Sequence, residues 1–191
     1  MARIALDIDS TLHHYWDLFR SVVHARFGVD LAYEEQTGWG ITQIPQDVLR
    51  AAVMETHSDE NIAGAEPYPD SVETVREWHG AGHWIHITSH RAESCAPATA
   101  RWLEEIGLPF DDLHCSYDKV TRCVELGVDV LVDDSPVNLE RGRAEGILGA
   151  TIQHPWNREL EGEEGLVIAR DWADLRDRLE PHLARLQESA R

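Results

Sequence analysis

The sequence predicts an α/β fold in which a mainly parallel sheet is flanked by helices and carries a small helical cap. Short apolar runs alternate with amphipathic segments along most of the 191 residues, which is typical of alternating strands and helices. The apolar runs are nearly continuous, as expected of parallel strands that helices cover on both faces. A chain of this length forms one ordinary domain, or one domain with a modest insertion.

The strands are predicted from the apolar runs. The strong candidates are residues 3–8, 83–88, 128–132 and 147–152. Two shorter runs are weaker candidates, at 112–115 and 166–169.

Helices fit between these runs. Asp70 and Gly80 bracket one segment with helical apolar spacing, and residues 94–107 form a second. Ser135 followed by Pro136 predicts the start of a third, because serine caps free amides and proline suits the first turn of a helix.

One stretch, residues 12–66, breaks the alternation. It carries amphipathic helical segments at 12–27 and 45–57 but no convincing strand, and it ends in the Pro-rich hinge GAEPYPD. We interpret it as a small helical cap that is inserted after the first strand and sits above the sheet. The core is then expected to comprise residues 1–11 and 67–191.

The chain is strongly acidic, with 35 acidic and 17 basic residues and a formal net charge of −18. Such a surface repels nucleic acids and anionic membranes, which argues against either as a partner. The apolar runs are far shorter than the roughly 20 residues that a membrane span needs, and RIALDID leaves no room for a signal peptide. The three cysteines form no CxxC pattern, which favours reduced thiols and a cytoplasmic location.

Asp7 and Asp9 stand where the first strand runs out, and ligand sites of open parallel sheets form at such strand ends. If the chain turns at Asp9, one carboxylate can face a phosphorus atom while the other reaches the leaving oxygen. That arrangement suits a nucleophile with an acid–base partner. Taken alone, the pair is explained equally well as a polar strand end whose side chains make hydrogen bonds within a turn.

Asp133 and Asp134 end the third strong strand candidate and directly precede a predicted helix. With Asp7 and Asp9 they place four carboxylates at neighbouring strand ends, and these repel one another unless a cation lies among them. Oxygen ligands with room for water and phosphate favour Mg²⁺ over zinc. The alternative for Asp133 and Asp134 is a solvated turn and helix cap.

Two further groups lie at the ends of predicted strands. Thr88 and Ser89 close the second strand, and their hydroxyls and backbone amides can hold phosphate oxygens, although a threonine at a strand end is common. Lys119 lies between a short strand and a helix, and it is the only lysine beside sixteen arginines. A compact ammonium on a flexible stem suits a crowded point between anions better than a planar guanidinium does.

Four segments in order, DIDST, IHITS, SYDKV and LVDDSPVNL, can be set against the motifs of the haloacid dehalogenase-like (HAD) superfamily. The chain resembles that superfamily over essentially its whole length, and the resemblance implies a Rossmann-like core. It implies that Asp7 is a nucleophile that forms an aspartyl-phosphate, while Asp9 protonates the leaving oxygen and then activates the hydrolytic water. Thr88 and Lys119 would hold the transferring phosphoryl group.

The same resemblance implies a Mg²⁺ site. The ion would be held by Asp7, the backbone carbonyl of Asp9 and Asp134, with Asp133 close by. Asp9 also favours phosphoryl chemistry over the dehalogenase branch of the superfamily, which lacks an aspartate at this position.

Within the superfamily the chain resembles the 5′(3′)-deoxyribonucleotidase type. The similarity lies in the short cap, the segment PYPDSVETVREW, LVDDSPVN and the late PWN at 155–157. Ser10 and Thr11 stand where this family usually has Gly-Val or Gly-Thr. The aromatic pattern of the family's cap is matched loosely, by Tyr15, Trp16, Phe19 and Trp39.

Side chains near these motifs are candidates for substrate binding. Trp16 and Trp39 can stack on a nucleobase, which is worth ~1–3 kcal/mol per base, but aromatics at helical spacing more often belong to a core. Ser89 and Arg91 would add contacts to phosphate or sugar, and a salt bridge at a helix start is the competing explanation for Arg91. His13 either faces the cleft or belongs to an exposed turn.

These observations together predict a Mg²⁺-dependent phosphatase for a small phosphorylated metabolite, with a 5′-nucleotide as the leading substrate. Two alternatives remain open at this point. The first is a phosphatase for sugar phosphates or other small metabolites, and the second is a phosphate-binding or regulatory protein without turnover.

Overall fold

The computed structural model describes residues 1–189 of the chain. Its centre is a sheet of six strands, all of them parallel. The strands are β1 (Arg3–Leu6), β2 (Trp84–Ser89), β3 (Asp112–Cys115), β4 (Val130–Val132), β5 (Leu148–Ile152) and β6 (Leu166–Ala169). Their order across the sheet is β3-β2-β1-β4-β5-β6, so the predicted α/β fold with a parallel sheet is confirmed.

Helices connect the strands and flank the sheet. The α-helices are α1 (Tyr15–Phe27), α2 (Gln46–Thr56), α3 (Asp59–Ala63), α4 (Ser71–Gly80), α5 (Ala96–Glu105), α6 (Lys119–Glu125), α7 (Pro136–Ala144) and α8 (Trp172–Ser189). The predicted start of α7 is confirmed, because Ser135 Oγ accepts a hydrogen bond from the Asn138 amide at 3.4 Å. Within residues 1–189 no helix is both long and apolar enough to cross a bilayer.

All six predicted strands are present, but the first is shorter than expected. β1 ends at Leu6 instead of residue 8 because the chain turns almost at once. The amides of Thr11 and Leu12 donate hydrogen bonds to the Ile8 carbonyl oxygen at 3.2 and 2.8 Å, which closes a tight loop directly behind the strand.

The strand order creates a crevice at the centre of the sheet. Leu6 of β1 pairs with Ile87 of β2 on one side and with Val132 of β4 on the other. The chain runs outward from β1 through β2 to β3 and then returns to the opposite side of β1. At such a switch point the connections diverge and leave room for a ligand at the carboxyl ends of the strands. Asp7 and Asp133, the residues after Leu6 and Val132, lie at this crevice.

The sheet is buried on both faces. Ile4 and Leu6 pack into the main apolar cluster, whereas Ala5 between them packs into a smaller cluster on the other face, which is the two-residue period of a strand. Burying Ile4 or Leu6 in this way is worth roughly 1.5–3 kcal/mol each. The main cluster also holds aromatic side chains from three helices, Trp78, Trp102 and Trp172.

Residues 12–66 contain α1, α2, α3 and a 3₁₀ turn at Tyr33–Glu35. Trp16 and Phe19 belong to an apolar cluster that this stretch forms together with Trp156, separate from the main core. Leu12 and Ile62, near its two ends, pack into the main core and tie the stretch to the sheet. The division into a core of residues 1–11 and 67–191 and a cap of residues 12–66 stays a prediction.

Candidate active site

The turn after β1 forms the frame of the site. Ser10 adopts a left-handed conformation with φ of 61°, which costs a non-glycine residue roughly 1–2 kcal/mol. Burial lowers the pKa of His154 to about 4, so its ring is neutral. Its Nε2 donates to the Ser10 carbonyl oxygen at 2.8 Å, and its Nδ1 accepts from the Tyr33 hydroxyl at 2.7 Å. Glycine adopts a positive φ without this cost, and here His154 holds the backbone of the serine instead.

Asp7, Asp133 and Asp134 form a cluster of buried carboxylates at the ends of β1 and β4. One oxygen of each lies within 4.8 Å of the other two. Burial raises the pKa of Asp7 to about 7, and Asp133 adds to this effect while Lys119 opposes it. Burial, and then the neighbouring Asp7, raise the pKa of Asp134 well above its ordinary value. Ionised carboxylates that lie this close together repel one another, and a cation between them stabilises their ionised forms.

Lys119, the first residue of α6, lies between two of these acids. Its Nζ is 2.7 Å from Asp7 Oδ1 and 2.8 Å from Asp133 Oδ2, and its side chain is only 2% exposed. Burial disfavours the ammonium, but Asp133 and Asp7 outweigh burial and raise the pKa of Lys119. The lysine is therefore charged, and its single positive charge neutralises only part of the three-carboxylate cluster.

Hydrogen bonds hold the two acids that follow β4. The Asp133 carboxylate accepts from the Ser135 amide at 2.8 Å and from Asn138 Nδ2 at 3.2 and 3.1 Å. Asp134 Oδ2 accepts from the indole N–H of Trp156 at 3.2 Å. Asp133 thus secures the start of α7, whereas Asp134 is fixed by a side chain from the loop after β5.

Asp9 faces a different set of groups. Arg91 donates from Nη2 to Oδ1 at 2.7 Å and from Nε to Oδ2 at 3.3 Å. His13 Nε2 lies 2.8 Å from Oδ1, and His57 Nε2 lies 3.3 Å from Oδ2. Burial by itself disfavours the ionised carboxylate, yet Arg91, followed by His13 and His57, holds the pKa of Asp9 well below its ordinary value. Asp9 is therefore ionised in this arrangement.

The residues predicted to contact phosphate lie in buried positions. Thr88 and Ser89 end β2, the strand next to β1, and Thr88 Oγ1 has no hydrogen-bond partner in residues 1–189. An unsatisfied buried hydroxyl costs roughly 1–3 kcal/mol. Ser89 Oγ accepts from the Arg91 amide at 3.3 Å. The Arg91 side chain is buried against Asp9 and Thr99, so its assignment to substrate stays a prediction.

A cavity of about 310 Å³ opens beside the carboxylate cluster, a size within the usual range of small-molecule sites. Thr88, Ser89 and Arg91 are not among its lining residues. Asp7, Asp9 and Lys119 contribute to its polar wall. Residues 12–66 supply an apolar wall of aromatic and aliphatic side chains, which are Tyr15, Trp16, Trp39, Ile41, Leu49 and Val53. Both tryptophans that were predicted to contact substrate therefore line the cavity, Trp16 from a buried position and Trp39 with 47% of its surface exposed.

Among the residues that contact the acids or the turn after β1, His57, His154 and Trp156 were not predicted from the sequence. His154 and Trp156 follow β5, so the rule that sites form at the carboxyl ends of parallel strands could have indicated them. The PWN segment carried a resemblance to the family but no predicted role. His57 carries no such signal, because it follows a helix of the long stretch between β1 and β2, and nothing local shows which way that stretch folds.

The model of one known family, the 5′ nucleotidase, deoxy (Pyrimidine), cytosolic type C proteins, matches residues 1–187. The chain belongs to this family. Membership in this nucleotidase family makes the chain an enzyme, a phosphatase, and confirms the resemblance that its four motifs indicated. The carboxylate cluster, Lys119 and the cavity are thus the candidate active site of a nucleotidase-family phosphatase.

Individual proteins are also similar to this nucleotidase-family chain. A Chlorobaculum tepidum protein named "Putative 5′(3′)-deoxyribonucleotidase" is 26% identical over 188 residues, which cover 91% of this chain and 88% of that protein. A haloacid dehalogenase-like hydrolase from Streptococcus pneumoniae shares the fold, with a TM-score of 0.68 and 15% identity over 96% of this chain and 98% of its own. A HAD family hydrolase from Deinococcus radiodurans, solved with phosphate and sodium, has a TM-score of 0.66 at 17% identity, over 97% and 96% of the two chains.

Proposed function

We propose that this enzyme hydrolyses the 5′ phosphate of nucleoside monophosphates through an aspartyl-phosphate on Asp7, with Mg²⁺ as cofactor. The observation that carries the proposal is the contact of 2.7 Å between Lys119 Nζ and Asp7 Oδ1 on the wall of a cavity that aromatic side chains also line. A nucleophilic carboxylate, a cation for phosphoryl oxygens and an apolar space for a leaving group thus lie together.

The carboxylate cluster suits Mg²⁺. Its three acids offer only oxygen ligands, which this hard cation prefers, and their mutual repulsion is unfavourable without added positive charge. We assign Asp7, Asp134 and the backbone carbonyl of Asp9 to the ion, with Asp133 close by. When bound, Mg²⁺ would neutralise negative charge on the phosphoryl group and favour the ionised form of Asp7.

In the first half-reaction a carboxylate oxygen of Asp7 attacks phosphorus and the bond from phosphorus to the leaving oxygen breaks. Asp9 gives its proton to that oxygen. Lys119 stabilises the charge on the equatorial phosphoryl oxygens, and Thr88 Oγ1 donates the hydrogen bond for which it lacks an acceptor. Asp9 is ionised while Arg91 holds it, so it must first gain a proton, and a phosphate dianion nearby promotes this by raising the pKa of Asp9.

In the second half-reaction a water molecule attacks the phosphorus of the aspartyl-phosphate. Asp9 accepts a proton from this water, the bond between phosphorus and the Asp7 oxygen breaks, and inorganic phosphate leaves. Pairing with Arg91 favours the ionised form of Asp9 that this step requires. The cycle ends with Asp7 ionised and a proton on Asp9, and Asp9 releases this proton to solvent once phosphate has left, because Arg91 favours its ionised form.

The choice of a nucleotide rests on the apolar wall of the cavity. Trp39 is half exposed there, and stacking on a base is worth ~1–3 kcal/mol, which a bare sugar phosphate cannot use. Family membership and the name of the Chlorobaculum tepidum relative support the same choice.

Phosphate release from a substrate panel at equal concentrations tests this assignment. The panel contains ribo- and deoxyribonucleoside 5′-monophosphates, 3′-monophosphates, glucose 6-phosphate and 4-nitrophenyl phosphate. We expect kcat/KM for the best 5′-nucleotide to exceed that for glucose 6-phosphate by about tenfold or more, as the stacking energy requires. Equal values would contradict the nucleotide assignment and favour a general phosphatase for small metabolites.

The Trp39→Ala variant serves as the control for the panel. It should lower kcat/KM for the nucleotide about tenfold and leave glucose 6-phosphate within about twofold, because only the base loses its partner. Met54→Ala is the matched comparison, since Met54 is an exposed apolar residue of α2 and does not line the cavity. That variant should behave like the wild type on both substrates.

Removal of Mg²⁺ should silence the enzyme reversibly. We expect EDTA to reduce phosphate release to background and added Mg²⁺ to restore it. Mg²⁺ should also raise the melting temperature, because an ion that binds only the folded chain stabilises it by about 2.7 kcal/mol at 100 times its Kd. Asp134→Asn should lose most of this thermal shift. Turnover that is insensitive to EDTA, or an equal shift in Asp134→Asn, would contradict the metal site.

A further inference from the structure

A histidine from the helical stretch reaches the acid–base carboxylate. His57 directly follows α2, and its Nε2 lies 3.3 Å from Asp9 Oδ2. The side chain is 13% exposed, and its Nε2 is buried without a hydrogen bond of good geometry among residues 1–189. Asp9 Oδ2 lies close to the buried Nε2 of His57, so a small rotation of the imidazole would complete a hydrogen bond between them.

The other groups around Asp9 come from different parts of the chain. Arg91 lies in the loop after β2 and His13 in the connection after β1, and both contact Oδ1 at 2.7 and 2.8 Å. Oδ2 is approached by Arg91 Nε at 3.3 Å and by His57. His57 is thus the contact that links Asp9 to α2, the helix whose residues Leu49 and Val53 line the apolar wall of the cavity.

The backbone around His57 is held in place. The His57 amide donates to the Val53 carbonyl oxygen at 3.2 Å, and its own carbonyl oxygen accepts a weak hydrogen bond from Cys95 Sγ at 3.6 Å. The Tyr15 ring packs 5.8 Å from the imidazole, centroid to centroid, and its hydroxyl lies 3.0 Å from Thr56 Oγ1. The imidazole is therefore presented to Asp9 by a fixed frame.

We propose that His57 is a positioning residue for the proton transfer by Asp9. Its Nε2–H donates to Asp9 Oδ2, fixes the orientation of the carboxyl group and couples it to the wall that receives the leaving group. This inference rests on the proposed function, because it requires Asp9 to act as the acid–base residue. Orientation matters energetically, since a misplacement of about 1 Å in a catalytic group can cost roughly 10²-fold in rate.

If His57 acts through Asp9, its loss should affect kcat/KM differently for different leaving groups. Protonation of the leaving oxygen matters most for a basic leaving group and little for 4-nitrophenolate, which departs readily without a proton. The constant kcat/KM reports the enzyme's steps up to the first irreversible one, which includes transfer of the phosphoryl group to Asp7. A series of substituted phenyl phosphates changes the basicity of the leaving group while its size stays nearly constant.

We therefore expect His57→Ala to steepen the dependence of kcat/KM on leaving-group basicity. For phenyl phosphate the loss should be about tenfold, a fraction of the 10²–10⁴-fold that a whole acid–base group contributes. For 4-nitrophenyl phosphate it should be about twofold or less. Asp9→Asn sets the upper limit, with a steeper dependence still.

Two further variants separate positioning from a structural effect. His57→Gln retains an N–H donor near the position of Nε2 and should recover part of the phenyl phosphate rate that His57→Ala loses. His24→Ala removes a histidine of α1 that is 64% exposed and paired with Asp30, and it should match the wild type throughout the series. Thermal unfolding of each variant confirms that the compared proteins are folded.

The outcomes distinguish this inference from the function on which it rests. If the wild type hydrolyses the phenyl phosphates but His57→Ala lowers kcat/KM equally across the series, or not at all, the positioning role is overturned alone. The same holds if His57→Gln behaves like His57→Ala. A wild type that hydrolyses no phosphomonoester would overturn the proposed function and this inference together.

Discussion

Asp7→Asn is expected to abolish turnover while the fold stays intact. The amide of asparagine is nearly the same size as the carboxylate but has no anionic oxygen to attack phosphorus, so no covalent intermediate can form. Loss of a catalytic nucleophile typically lowers kcat by roughly 10⁴–10⁶-fold. The measurement is phosphate release from 4-nitrophenyl phosphate and from the best nucleotide of the panel.

The same substitution should change the pH dependence of stability in the metal-free protein. Because burial raises the pKa of Asp7 from 3.8 to about 7, the folded state binds more protons than the unfolded state between these values. The Asp7 contribution to the free energy of unfolding therefore falls as pH rises through this window. The amide of the Asp7→Asn variant does not titrate, so in EDTA this variant should gain stability relative to the wild type as pH rises from about 5 to about 7.5.

Measuring both phosphate release and the pH dependence of stability distinguishes a lost nucleophile from a misfolded variant. If Asp7→Asn were inactive and melted far below the wild type at every pH, its inactivity would not show that Asp7 is the nucleophile. A gain in its stability relative to the wild type as pH rises excludes that explanation. Asp177→Asn, at an exposed aspartate of α8, is the matched control and should change neither activity nor the pH dependence. Activity of Asp7→Asn within about tenfold of the wild type would remove the covalent mechanism.

Lys119→Ala is expected to damage both stability and turnover. The substitution leaves Asp7 and Asp133 buried without the ammonium that now lies 2.7 and 2.8 Å from them. Removing one partner of a buried ion pair typically costs about 3–5 kcal/mol. Turnover should fall by about 10²–10³-fold, the usual effect of losing one group that stabilises charge in the transition state.

Denaturant unfolding measures the loss of stability in Lys119→Ala, and kcat measures its loss of turnover. Added Mg²⁺ should narrow the stability difference, because a divalent cation in the carboxylate cluster replaces part of the missing charge. Lys119→Arg keeps the charge but brings a bulky planar group, so its stability and kcat should lie between those of the wild type and Lys119→Ala. Wild-type stability in Lys119→Ala would show that Lys119 does not neutralise these acids.

The acid cluster could be predicted because it depends on chain topology. Asp7 and Asp133 each follow an apolar run that is typical of a buried strand, and the carboxyl ends of parallel strands lie at one edge of a sheet. Lys119 drew attention as the only lysine beside sixteen arginines and through its place between a strand and a helix, and the resemblance to the HAD superfamily implied its role at the site. No side-chain direction was needed for either prediction.

The partner of the Arg91 side chain could not be predicted from the sequence. Its place directly after Thr88 and Ser89 indicated a contact with phosphate or sugar, but its guanidinium turns inward to Asp9, 82 residues away in the chain. A buried arginine is stable only with a charged partner, and the sequence does not reveal which carboxylate is within reach. The competing explanation, a salt bridge, was correct in kind, and the structure identifies its partner as Asp9.

By itself the sequence determined the parallel α/β architecture, the strand ends that carry Asp7 and Asp133, and the nucleotidase family, because periodicity and ordered motifs are local properties of the chain. Only the tertiary structure decided that Lys119 bridges two acids and that Asp9 is surrounded by Arg91 and His57. These contacts join residues from different elements of the chain, and the contact of His57 also depends on how the helical stretch folds back over the sheet. No local pattern encodes that packing.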